Sequence, residues 1–259
     1  MALNLFFLTA VLYLVATPIG NLGDITLRAL EALKSADVIA CEDTRHSLRL
    51  LQHYHIAKPL VSYHEHNEAM RTAELLTRLQ RGESVAVITD AGLPAISDPG
   101  ARLVRACIEH AVPYTIIPGA SAVLTALIGS GFESEPFFYG GFLPSKSGQR
   151  EREVVAALER DGTSIFFETP HRLMRTLDVF ARHRPERLLC VARELTKQFE
   201  EFRRGTAPEL QTHFARHSPR GEIVLVVSAP TKAERKSKKE VDEKSDLPFP
   251  PRINLDASP

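Results

Sequence analysis

Five polar clusters hold the side chains with chemistry to offer. They are Glu42-Asp43-Thr44-Arg45, His64-Glu65-His66-Asn67-Glu68, Asp90-Ala91-Gly92 (with Asp98 a further acceptor in the same loop), Glu168-Thr169-Pro170-His171-Arg172, and Arg193-Glu194-Leu195-Thr196-Lys197. Each follows or closes a short apolar run of strand type. Strand ends of a parallel sheet converge on one edge, so the clusters are expected to face a common cleft. Ordinary loops with caps and surface ion pairs are the alternative. His64 and His66 stand two apart, which on a strand puts both rings on one face and turns Glu65 away. No third ligand follows at a metal-binding spacing, so they read as hydrogen-bonding or catalytic histidines rather than a metal site. Cys41 lies beside Glu42 and Asp43, whose charges raise a thiol's pKa, and reads as a small core residue. Ser121, in Pro118-Gly119-Ala120-Ser121-Ala122, lies near the nucleophile-elbow pattern, but Val123 stands where that pattern needs glycine. Ser121 is expected to cap a helix or bind a ligand. Gly20-x-x-Gly23 is not the dinucleotide fingerprint, and no P-loop occurs. A ligand without pyrophosphate is the expectation.

The elements that must position these groups alternate. Short apolar runs at 11–16, 37–41, 60–63, 84–88 and 114–117 read as strands. Helical patterns follow at 25–33 (Asp24 a candidate N-cap), about 47–51, 69–81, 101–110 and from 122. This alternation predicts a parallel sheet with right-handed crossovers. The stretch 89–100 joins a strand to a helix, and its Gly92, Gly100, Pro94 and Pro99 fix the backbone and let a ligand approach main-chain amides. A plain turn, with Asp98 as cap and Pro99 as the first helical residue, is the other reading. After a linker at 133–136 come strands at 137–142, 164–167, 187–192 and 222–228, with helices from about 148 to 160 and through Leu173, Leu177 and Phe180.

The expected fold class is α/β. Two α/β domains are predicted, the first with a mainly parallel sheet and the second with a mixed sheet, with a cleft between them. The expected boundaries are an apolar extension at 1–10, domains at 11–131 and 132–230, and a disordered tail at 231–259 holding seven basic and six acidic side chains. A chain of 259 residues, 44% hydrophobic and 25% charged, can build such cores. Its formal net charge of zero supplies no global basic field. Three scattered cysteines argue against a disulfide framework and fit a reducing compartment. The apolar start lacks a basic n-region and is too short for a membrane span, so a cytoplasmic protein without membrane attachment is expected.

The motifs taken in order resemble one family. The opening run 12–26, Glu42-Asp43-Thr44-Arg45, Ser62-Tyr63-His64-Glu65-His66-Asn67-Glu68, the loop 90–100, Pro118-Gly119-Ala120-Ser121-Ala122, Gly140-Gly141-Phe142-Leu143-Pro144, Glu168-Thr169-Pro170-His171-Arg172 and Arg193-Glu194-Leu195-Thr196-Lys197 resemble the ribosomal RNA small subunit methyltransferase I family, within the tetrapyrrole-methylase-like superfamily. The resemblance spans about residues 11–228. It implies S-adenosylmethionine (SAM) as methyl donor and cofactor. It also implies a homodimer and, as substrate and partner, the ribose 2'-hydroxyl of a cytidine in the decoding centre of 16S rRNA in the small ribosomal subunit. By motif position it places Pro18, Ile19, Asp90, Leu93, Ser121, Ala122, Thr169, Glu222 and Ile223 around the cofactor. For the transfer itself, positioning should dominate because the donor is already activated. The candidate proton acceptors are Asp43, His64, Glu65 and His66, with Arg45 and Lys197 steering phosphate or ribose. Arg49, Lys146 and Arg172 join Arg45 and Lys197 as candidate RNA contacts.

Two other readings stay open on the residues alone. A superfamily methylase acting on a tetrapyrrole or a protein side chain would need an apolar, planar cleft, against which the polar loop at 64–68 argues. A non-catalytic ribosome-assembly protein would bind small subunits without consuming SAM.

Overall fold

Two strands of the first half are apolar at every position, Val38–Cys41 (β2) and Val85–Ile88 (β4), and both are buried on both faces. Such runs belong inside a parallel sheet covered by helices on each side. The computed structural model, which describes residues 10–231 and 234–235, puts them there. Together with Leu12–Val15 (β1), Leu60–Ser62 (β3) and Tyr114–Ile117 (β5) they form a wholly parallel sheet in the order β3-β2-β4-β1-β5. Helices α1 (Leu27–Ser35) and α2 (Thr44–His53) close one face around Leu33, Ile39, Leu51 and Ile88. Helices α3 (Glu68–Gln80) and α4 (Ala101–Glu109) close the other around Leu14, Leu75, Val87 and Leu103. The adjacent strands β1 and β4 therefore send their chains to opposite faces, and a crevice opens past their carboxyl ends.

The second sheet is mixed, as expected. Its order is β6-β7-β10-β8-β9, built from Phe137–Phe142 (β6), Thr163–Glu168 (β7), Leu188–Arg193 (β8), Glu201–Thr206 (β9) and Ile223–Val227 (β10). Only β6 and β7 pair in parallel. Helices α6 (Ser147–Glu159), α7 (Pro170–His183) and α8 (Ala207–Arg216) pack on one face around Phe166, Phe180 and Leu225. Helix α5 (Ala122–Ser130) covers the other face. Its Val123, Ala126 and Leu127 share a core with Ile19, Ile165, Cys190 and Val226, which locks the two sheets together.

Several local expectations are corrected. Asp24 does not cap α1: Thr26 does, its Oγ1 accepting from the Ala29 amide at 3.1 Å, while Asp24 ends a short 3-10 turn. Asp98 does not cap α4, which starts after Gly100 at φ +137° without a side-chain cap. The histidines do not sit on a strand, because β3 stops at Ser62 and His64 to Asn67 form a turn closed by the Asn67 amide on the His64 carbonyl at 3.0 Å. Strand β9 and helix α8 carry no earlier expectation. The β9 sequence EFRRGT has no apolar alternation because it is a sheet edge. Residues 1–9 and most of the expected tail lie outside the described residues. No helix among the described residues is long and apolar enough to cross a membrane.

Candidate active site

The crevice past β1 and β4 is built by loops that hold one another. The Thr17 amide donates to the Gly92 carbonyl at 2.9 Å, and the Gly92 amide returns the bond at 3.1 Å. The buried Thr17 hydroxyl donates to the Thr89 carbonyl at 3.1 Å. Within 89–100 the non-glycine residues Ala95 (φ +71°) and Ser97 (φ +63°) take left-handed backbone, beside Gly92 at φ +81°. Strain of this kind persists only where surrounding contacts fix it. Here the Glu68 carboxylate accepts from the Gly100 amide at 3.1 Å, and the Ser97 hydroxyl lies 2.6 Å from the Tyr139 hydroxyl of the second sheet.

The second sheet supplies the opposite wall. Antiparallel pairing sets Ile223 beside both Glu168 and Arg193, so β10 begins where β7 and β8 end. The Glu168 side chain is fully buried. It accepts from the Thr169 amide at 2.7 Å and the Thr176 hydroxyl at 2.6 Å, and it pairs with Arg172 at 3.1 Å. Lys197 donates to both Glu194 and Glu222 at 3.0 Å. Gly20 lets this loop press on the first half of the chain, since a Cβ there would meet the Leu195 carbonyl at 2.8 Å.

Between the walls lies a cavity of about 460 Å³. Ile19, Asp90, Leu93, Ser121, Ala122, Thr169, Glu222 and Ile223 line it; Pro18 is the neighbour of Ile19 but is not in the lining. Glu42 and Asp98, members of the polar clusters without an assigned role, also line it, as do Ser97, Phe142, Phe167 and Gly221, to which the sequence gives no site role. The signal for Glu42 is alternation. Cys41 is the last residue of a buried strand, and Glu42 and Asp43 must point to opposite sides after it. Asp43, Arg45, His64, Glu65, His66 and Lys197 are all outside the lining. Asp43 is turned to solvent and pairs with Arg45 at 2.9 Å. His64 holds Asn67 through its ring, 3.2 Å from the amide nitrogen, and its own ring stands 5.9 Å from that of His66.

Charge is the cavity's most distinctive property. Its lining holds five carboxylates, Glu42, Asp90, Asp98, Glu168 and Glu222, and no lysine, arginine or histidine. Arg172 and Lys197 neutralise Glu168 and Glu222 from outside the lining, which leaves Glu42, Asp90 and Asp98. Burial, followed by the charges of Glu42 and Asp90, pushes the Asp98 carboxyl up to about 7. Burial and then Asp90 raise Glu42 as well. Asp43 is the reverse: hydrogen bonds from Arg45 hold it down at about 2. Cys41 is buried and its thiol is pushed up by that burial, which makes it a core residue rather than a nucleophile. An apolar cavity with a net negative floor suits a cationic ligand and disfavours a phosphate.

Two α/β sheets meeting across such a cleft are the architecture of the tetrapyrrole methylase fold. Residues 11–211 match the family model of Tetrapyrrole (Corrin/Porphyrin) Methylases. The fold is similar to that of uroporphyrin-III-C-methyltransferase from Thermus thermophilus, at 22% identity and a TM-score of 0.61 over 85% of this chain and 94% of that one. Among curated proteins, the ribosomal RNA small subunit methyltransferase I of Synechocystis sp. is 47% identical over 92% of this chain and 85% of its own length. That of Bacillus subtilis is 46% identical over 90% and 78%. The chain belongs to the ribosomal RNA small subunit methyltransferase I family.

Proposed function

We propose that this chain transfers a methyl group from SAM to the 2'-hydroxyl of a cytidine ribose in the decoding centre of 16S rRNA, acting on the small ribosomal subunit in the cytoplasm. The observation that carries the donor half is the uncompensated carboxylate floor of the cleft. SAM bears an ammonium and a sulfonium and no phosphate, and the carboxylates of Glu42 and Asp90 answer those charges with no cation of the lining competing. Ile19, Leu93, Val123 and Ile223 offer apolar surface for an adenine, and the Ser121 and Thr169 hydroxyls flank it. The substrate half is supported by the relatives, which are ribosomal RNA small subunit methyltransferases.

When bound, SAM supplies an electrophilic methyl that needs no further activation. The chain's residues then have three tasks. Ser97 and Tyr139, tied across the cleft, fix the loop that carries Asp98. The apolar walls exclude water. Asp98 lines the cleft on that fixed loop and is the residue we assign to take the ribose proton, with burial pushing its carboxyl up to about 7. Asp43, held low by Arg45, is poorly suited to it. His64, Glu65 and His66 sit in the turn after β3, and we place them with Arg45 and Lys197 in substrate positioning. A homodimer is part of the proposal. It is supported by Leu124 and Ile128, which stand on one face of α5 at 48% and 78% exposure.

The test is methyl transfer from labelled SAM to small subunits lacking the modification. Label in 16S rRNA supports the proposal. SAM binding without transfer to RNA moves the chain to another superfamily substrate, and no SAM binding removes the enzyme reading.

A further inference from the structure

A second cavity, of about 410 Å³, opens at the carboxyl end of α8. Arg193, Arg216 and Arg220 line it with His213 and His217, against one carboxylate, Glu201. Glu201 is committed, pairing with Arg193 at 2.6 Å and His213 at 3.5 Å. Arg216 and Arg220 are exposed, and their guanidinium groups make no hydrogen bond or ion pair with any described residue. The His213 and His217 rings stack at 4.9 Å and 27°, with His217 exposed.

This patch adjoins the active-site cleft. One short loop runs from α8 into β10, with Arg220 in the basic cavity and Gly221 and Glu222 in the cleft lining. Arg193 is the strand partner of Ile223, which also lines the cleft. The cleft itself is acidic and repels phosphates, so a polyanionic substrate must be held from beside it. Two unpaired guanidiniums next to the exposed His217 ring, backed by the half-buried His213, match a phosphodiester backbone with an unstacked base.

We infer that the patch at Arg193, Arg216, His217 and Arg220 docks the RNA backbone flanking the target nucleotide. This rests on the reading of the chain as an RNA methyltransferase. The global charge of zero fits a local contact of this kind rather than a general basic field.

The test compares wild type, the double variant Arg216→Gln/Arg220→Gln, and Arg175→Gln, an exposed α7 arginine outside the cleft lining. Small-subunit binding and methyl transfer are followed across a salt series. For the double variant, the slope of log affinity against log salt should fall by about 1.5, as for two lost phosphate contacts. Its KM for subunits should rise about tenfold, with kcat and SAM affinity within about twofold of wild type. Arg175→Gln should match wild type throughout. Binding by the double variant equal to wild type overturns the docking surface while leaving the methyltransferase reading intact. An equal loss in Arg175→Gln also overturns it, since that would indicate diffuse charge. Wild type that binds SAM but neither binds nor methylates subunits overturns both.

Discussion

The backbone amide of Asp43 donates to the Oδ1 of Asp90 at 3.3 Å, joining the carboxyl ends of β2 and β4. That bond holds the Asp90 carboxylate at the cleft while the Asp43 side chain faces outward, 36% exposed, on Arg45. Because Asp43 contributes its main chain, Asp43→Asn should keep methyl transfer within about twofold of wild type. Asp90→Ala removes both an acceptor and a charge and should weaken SAM binding by about tenfold or more. Asp90→Asn, which retains an acceptor, should fall between them. Titration calorimetry with SAM separates the three, and a strongly impaired Asp43→Asn would contradict the assignment.

Asp98 makes stability and activity depend on pH in opposite directions. Its carboxyl titrates near 7 in the folded protein, well above an unfolded aspartate at about 3.9. The folded state binds the extra proton, so this group's contribution to stability declines as pH rises from about 4 to 7 and is flat above. Asp98→Asn should therefore raise Tm by about 3 °C at pH 8 and leave it nearly unchanged at pH 4. The same variant should lower kcat by about a hundredfold and flatten its rise with pH. Thermal melts and a pH–rate profile read the two effects independently.

Glu168 is the most heavily bonded buried acid of the site. Alanine there strands Arg172 and frees the Thr169 amide and the Thr176 hydroxyl. The expected cost is about 3–5 kcal/mol of folding stability, with Glu168→Gln costing less. Urea unfolding measures it, and near-wild-type stability of the alanine variant would contradict the buried network.

Gly20 sits where the β1–α1 loop meets the loop carrying Lys197. A methyl group would stand 2.5 Å from Lys197 Cγ and 2.8 Å from the Leu195 carbonyl, and the carbonyl cannot swing aside. Gly20→Ala should cost about 1–3 kcal/mol and widen the cleft mouth. The expected signature is weakened SAM binding together with a lowered Tm. Lys197→Met, which releases Glu222 without a clash, should affect SAM binding and leave Tm nearly unchanged.

Sequence made some of this legible and hid the rest for physical reasons. Strands β2 and β4 are continuous apolar runs, and only a sheet covered on both faces uses such runs. The cleft could be anticipated because polar clusters closed those strands. Strand β9 was hidden because an edge strand needs no apolar face, and EFRRGT carries none. The choice between Glu42 and Asp43 turns on a single step of strand alternation. The contact of Ser97 with Tyr139 joins residues 42 apart in sequence and is a product of tertiary packing alone. Helix α4 begins at Ala101, as its apolar pattern predicts, but the turn into it is made by Gly100 at φ +137° rather than by an Asp98 cap, which the sequence leaves open.

The most direct test of the central claim is nucleoside analysis of 16S rRNA after reaction of unmodified small subunits with this protein and SAM. The account predicts one stoichiometric 2'-O-methylcytidine, absent without enzyme and strongly reduced with Asp98→Asn. A methyl group found on a base, or no methylated nucleoside while SAM is bound, would contradict it.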